Sequence, residues 1–140
     1  MSNPGNNEAL KVIENEYSIV RLRHDGIIHV YYNPGTEITP EVQIVMLEVF
    51  MELTGGAKSL FIYEAGEGTT VTKEGREDAI RMESNTPSKA TVVYVKNLAH
   101  KIIAEFYYKF NKPLQPYKVV TDFDEGIAWL KKVNSEINDR

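Results

Sequence analysis

The sequence contains no cysteine. Disulfides, thiolate nucleophiles and cysteine zinc sites are therefore excluded together. It also lacks long hydrophobic runs, and none approaches the ~20 apolar residues of a membrane-spanning helix. Basic clusters are missing: 16 Lys and Arg stand against 20 Asp and Glu, for a net charge of −4, with no concentrated positive footprint of the kind nucleic acid requires. Neither membrane nor nucleic acid is expected as a partner. Serine is sparse, and no Ser stands in a Gly-x-Ser-x-Gly elbow, which argues against a Ser/His/Asp hydrolase. The three histidines, His24, His29 and His100, fall in a turn, a strand and a later helix without ligand spacing. No metal or cofactor is expected. Met1 to Asn7 is rich in Asn, Gly and Pro and lacks a basic-then-apolar signal pattern. Residues 1–8 read as a disordered tail, residues 9–140 as one domain, and the protein as soluble and cytoplasmic.

What is present is a succession of short apolar elements. Leu10 to Glu14 and Tyr17 to Leu22 alternate as strands, and Arg23-His24-Asp25-Gly26 supplies a turn before the apolar run Ile27 to Tyr32. Thr39, Pro40 and Glu41 open a helix with a capping hydroxyl, a first-turn proline and an acid at the positive dipole end. That helix runs to about Thr54, before Gly55-Gly56. Val42, Val45, Met46, Val49, Phe50 and Leu53 form its sheet-facing stripe. Ile44, Leu47 and Met51 form a second stripe on the opposite side, which reads either as ordinary apolar surface or a face covered by another element, or as a homodimer interface.

Ser59 to Tyr63 is a central strand, and Thr91 to Val95 a second buried one. Leu98 to Phe110 is a helix with Leu98, Ile102, Ile103, Phe106 and Phe110 directed inward. Tyr117 to Val120 is a last strand, and Asp122 with Glu125 caps a final helix that buries Phe123, Ile127, Leu130 and Ile137, with Trp129 to one side. The order, a hairpin and then helix, strand, helix, strand, helix, strand, helix, predicts an α/β domain: an N-terminal β-hairpin leading into a mixed β-sheet packed with about four α-helices.

The leading candidate site is the loop between the central strand and its helix. Glu64, Gly66, Gly68, Thr69, Thr70, Thr72 and Lys73 lie there, where backbone N–H groups and a helix dipole favour an anion. The loop lacks the third glycine of a dinucleotide fingerprint and the Gly-Lys-Ser/Thr of a phosphate loop. As a plain turn it would only present Thr72 as a helix cap. The carboxylate pairs Glu64 with Glu67 and Glu77 with Asp78 read as solvated. A second candidate is a pocket between helix 98–110 and the sheet, where His100, Tyr107, Tyr94 and Tyr108 offer aromatic lining.

Three segments together resemble the SpoIIAA-like family, which shares the STAS fold of anti-sigma-factor antagonists. They are Arg23 to Val30 with Pro34 to Thr39, Phe106 to Pro113, and Phe123-Asp124-Glu125-Gly126-Ile127-Ala128-Trp129-Leu130. The resemblance implies a mixed sheet with several helices. In the antagonist branch a serine in the strand-to-helix loop is phosphorylated. The Asp-Ser-Ser-Gly pattern of that branch is absent here, which leaves Thr69, Thr70 and Thr72 as the possible phosphoacceptors. The expected function is a non-enzymatic regulatory or ligand-binding module that acts through loop 64–73 on a protein partner or small ligand. The alternative is a small-molecule or lipid carrier, or a small enzyme, using the pocket against helix 98–110.

Overall fold

The N-terminal hairpin sets the parity of the whole sheet. A computed structural model describes residues 9–110 and 113–138, without the side chains of residues 103 and 106–110. The tail expected at residues 1–8 lies outside the described residues. Strands β1 (Ala9–Glu14), β2 (Ser18–Arg23) and β3 (Ile28–Tyr32) form an antiparallel meander. Gly26, at φ 82°, closes the β2–β3 turn in a backbone conformation open to glycine without strain. Asp25 accepts the Ile27 N–H and pairs with Arg23 at 3.0 Å.

After β3 come a two-residue strand β4 (Glu37–Ile38), helix α1 (Pro40–Thr54), β5 (Ser59–Ala65), a second two-residue strand β6 (Thr70–Val71) and α2 (Lys73–Met82). A 3-10 turn (Glu83–Asn85) leads to β7 (Ser88–Tyr94), α3 (Leu98–Phe110), β8 (Tyr117–Val120) and α4 (Phe123–Asn138). The main sheet has the order β1-β2-β3-β5-β7-β8, and its last three pairings are parallel. This is the mixed sheet with four helices that the element order predicts.

Side-chain alternation divides the interior in two. On one face Val20, Ile28, Val30 and Phe61 meet Val42, Met46, Val49, Phe50 and Leu53 of α1. On the other, Ile27, Leu60, Ile62, Val92 and Val120 meet Ile127, Leu130 and Val133 of α4. The stripe read from the spacing of α1 is the buried one except at Val45, which is half-buried, and Thr39 accepts the Val42 N–H at its start. Helix α4 lies tight on the sheet: a Cβ placed on Gly126 would stand 2.8 Å from Val92 Cγ1.

Helix α3 departs from expectation. Leu98 and Ile102 face solvent at 66% and 59% exposure, while the half-buried Ala104 and the exposed His100 border the space under the helix. The expected stripe assumed direct packing on the sheet; instead a space lies between α3 and the sheet, and of the described side chains of α3 it is His100 and Ala104 that border it. The other three residues expected inward, Ile103, Phe106 and Phe110, have side chains outside the described set.

Candidate functional site

The space beneath α3 is a cleft of about 740 Å³, partly open to solvent, bordered by α1, α2, α3 and the sheet. Its origin can be followed residue by residue. Helix α2 docks by its first turn, where a Cβ on Gly75 would stand 2.4 Å from the Ile38 carbonyl, and Gly75 is its single buried residue. Beyond that turn α2 offers Ala79 and Ile80, which stay exposed while bordering the space. Between the sheet's tyrosines, β7 supplies only the medium side chains Thr91 and Val93. Facing elements that lack bulk at these positions cannot close on each other, and the gap remains.

The floor is held rigidly. Tyr63 stacks on Phe61 with centroids 5.9 Å apart, and Phe50 meets Phe61 edge-on at 5.0 Å, arrangements that suit the ring quadrupoles. Tyr32, nearly fully buried at the base, has its phenol pushed well above the usual range by desolvation, so it presents a neutral hydroxyl at any physiological pH. Met46, Leu47 and Phe50 line the α1 wall, with Gln43 beside them. Leu47, read from sequence as part of an outward stripe, thus borders the cavity. Ile44 and Met51 remain outside, 55% and 44% exposed.

The loop singled out in the sequence forms one rim of this cavity through Glu64, Ala65, Thr69 and Val71. It is pinned, not open. The Gly66 N–H donates to the Tyr32 carbonyl at 2.8 Å, and a Cβ there would stand 2.7 Å from the Pro34 nitrogen. Thr70 and Thr72 donate their N–H groups to the Thr36 and Ile38 carbonyls, which makes β6 a parallel partner of β4. The Thr69 hydroxyl donates to the Asn33 carbonyl at 3.3 Å, and Thr72 accepts the Gly75 N–H at 2.9 Å as the cap of α2. Of the three candidate phosphoacceptors only Thr70 is exposed; Thr69 and Thr72 are half-buried, and Lys73 is exposed at the start of α2.

A second polar grouping lies on the opposite, α4 face. His29 Nε2 and Glu64 Oε1 are 3.0 Å apart, with side chains only 4% and 17% exposed, and Lys96 approaches the other carboxylate oxygen at 4.0 Å. The Glu64 carboxylate, expected among polar surroundings, is instead drawn in by parallel pairing of β3 with β5, which sets residues 29 and 64 near each other across 35 positions of sequence. The His29 ring stands edge-on to Phe123 at 5.0 Å, and Arg23 lies over the same ring at 5.7 Å. His29 Nδ1 is buried without a hydrogen-bond partner among the described residues. A histidine and carboxylate at this spacing have the parts of a general base, but the free nitrogen is sealed from any substrate. Among the described residues no three His, Cys, Asp or Glu side chains converge as a metal site, and no helix is long and apolar enough to cross a membrane.

The model of DUF7793, a domain of unknown function, matches residues 20–134. The chain belongs to that family. Among solved structures it is similar to an uncharacterised protein of the DUF3478 family from Shewanella loihica PV-4, which has a SpoIIAA-like fold, with a TM-score of 0.56. The match covers 93% of this chain and 98% of that one at 12% sequence identity. The family member described here therefore has a SpoIIAA-like fold, as the resemblance in sequence implies. No curated protein matches the chain significantly.

Sequence reasoning anticipated a pocket against helix 98–110 and named His100, which lines it; Tyr107 and Tyr108 lie outside the described side chains. Tyr94 borders the cavity but packs its ring against Phe123 at 5.7 Å. The α1 and α2 walls were missed. The signal was present in Gly75, Ala79 and Ala104, small residues on facing helices, but small residues carry no periodicity to detect.

Proposed function

We propose that this protein is a binding module for a small, largely apolar molecule, held in the cavity between α1, α2, α3 and the sheet. One observation carries the reading: a volume of about 740 Å³ lined mainly by aliphatic and aromatic side chains, within the ~300–1,000 Å³ typical of small-molecule sites. A close-packed domain has no use for such a space, since interiors are filled about as densely as organic crystals. The loop at residues 66–72 then serves as a fixed rim, which joins the two sequence-based candidates into one site. The exposed Leu98 and Ile102 on α3 fit a wall that bounds a ligand more than one that completes a core.

The test uses a neutral fluorophore, N-phenyl-1-naphthylamine, whose emission rises in apolar surroundings. The wild type should bind it saturably at one molecule per chain, and Ala79→Trp, at an exposed position on the cavity border, should abolish binding while the circular dichroism spectrum is unchanged. Equal binding by wild type and variant would place the dye elsewhere and refute the reading.

A further inference from the structure

The charged groups that border the cavity differ in how far they are already engaged. Besides its tyrosines, four side chains with ionisable groups border it: Glu64, Glu83, Arg76 and His100. Both carboxylates are already engaged. Glu64 is taken by His29 and Lys96. Glu83 accepts the backbone N–H groups of Leu114 at 2.7 Å and Gln115 at 3.2 Å, tying the segment before β8 to the end of α2. Arg76 differs. Its guanidinium donates to the Val71 carbonyl at 3.0 Å, and among the described residues it has no ion pair. The other acids of α2 leave it alone: Asp78 pairs with Arg81 at 3.4 Å, and Glu74 and Glu77 are exposed and do not border the cavity. In a chain of net charge −4, the uncompensated charge at this site is positive.

Gln43 adds a second observation. It lines the same cavity from α1, and its Oε1 is buried without a hydrogen-bond partner among the described residues. A buried amide oxygen left unpaired costs about 1–3 kcal/mol, and a buried polar group of this kind normally has a partner. Amide oxygen and nitrogen are interchangeable by rotation, so Gln43 can offer an N–H to an incoming acceptor from the same position.

Resting on the cavity being a ligand site, we propose that its ligand is an anionic amphiphile: a carboxylate with an apolar body, its head held by Arg76 and Gln43. The guanidinium fork suits a carboxylate, because two parallel N–H donors match its two oxygens. The apolar body lies against Met46, Leu47, Phe50 and Val93. Met82 borders the same space.

Decanoate and 1-decanol separate the head group from the chain. Both are titrated calorimetrically, near neutral pH and below aggregation, into wild type, Arg76→Gln and Gln43→Leu. A charge-assisted contact at a partly exposed guanidinium predicts about tenfold tighter binding of decanoate than of 1-decanol. Arg76→Gln should bring the two to parity without changing 1-decanol, and Gln43→Leu should weaken decanoate alone. If both compounds bind wild type equally, or if Arg76→Gln leaves decanoate unaffected, the head-group assignment is wrong while the apolar site stands. If neither binds, the cavity is not a ligand site of this class and both readings fail. Arg76 is exposed, so its replacement tests binding without threatening the core.

Discussion

Replacing Val93 with Phe distinguishes a functional cavity from a packed interior by the sign of the stability change. Val93 is half-buried on β7 and borders the cavity, while its neighbour Val92 is fully buried on the α4 side. In a close-packed core a larger side chain forces neighbours off their rotamers and costs about 1–3 kcal/mol. Over a 740 Å³ space the ring has room, and burying roughly 40 Å² of additional apolar surface at ~25 cal/mol per Å² contributes about 1 kcal/mol. The two outcomes differ in sign and lie roughly 2–4 kcal/mol apart. Urea unfolding resolves this: with a slope of ~1–3 kcal/mol per M, the midpoint should rise by about 0.5 M. Binding of N-phenyl-1-naphthylamine should weaken in the same protein. A fall in the midpoint would mean that the space is filled by the protein itself, and the reasoning from cavity to ligand would be lost.

Other expectations follow from single contacts. Gly126→Ala gains about 1 kcal/mol in helix propensity, but its Cβ would meet Val92, Val120 and Ile62 at 2.8 to 3.3 Å, and overpacking of ~1–3 kcal/mol should prevail; a raised melting temperature would contradict the tight seating of α4. For Asp25, burial raises the carboxyl pKa, but the Arg23 and Ile27 hydrogen bonds and the charges of Arg23 and Lys131 outweigh it and hold it below its ordinary 3.8. A depressed folded pKa stabilises the native state above the unfolded value and loses that effect as pH falls through the folded one. Asp25→Asn should therefore cost roughly 0.5–1 kcal/mol at neutral pH, discounted for exposure, with the difference from wild type shrinking below the ordinary 3.8; a gap that is independent of pH would count against the ion pair. We also propose that Ile44 and Met51 pair two copies of the chain: Ile44→Glu should convert a dimer to monomer in sedimentation, and a monomeric wild type would remove the interface.

The fold was legible where apolar spacing and caps agreed. Thr39 and Pro40 mark the start of α1, the stripe from Val42 to Leu53 is its buried face, and Tyr117 to Val120 is β8 as read. The parts that were hidden depend on long-range register or on missing bulk. The pairing of His29 with Glu64 follows from β3 lying parallel to β5, which nothing local to either residue announces. Strands β4 and β6 are two residues each, below the length at which alternation can be seen, yet they turn a glycine-rich loop into a fixed rim. The inward face of α3 was misread because Leu98 and Ile102 are apolar; the rule that apolar residues pack inward presumes a surface to pack on, and here that place is the cavity.

The most direct test of the ligand site is methyl NMR of the protein labelled at methionine, with N-phenyl-1-naphthylamine added. Met46 and Met82 line the cavity, whereas Met51 lies outside it and is 44% exposed. The Met46 and Met82 signals should move together and saturate with the dye while Met51 holds its position. Movement of Met51 with Met46 and Met82 unchanged would put the ligand on the outer face of α1 and contradict the account.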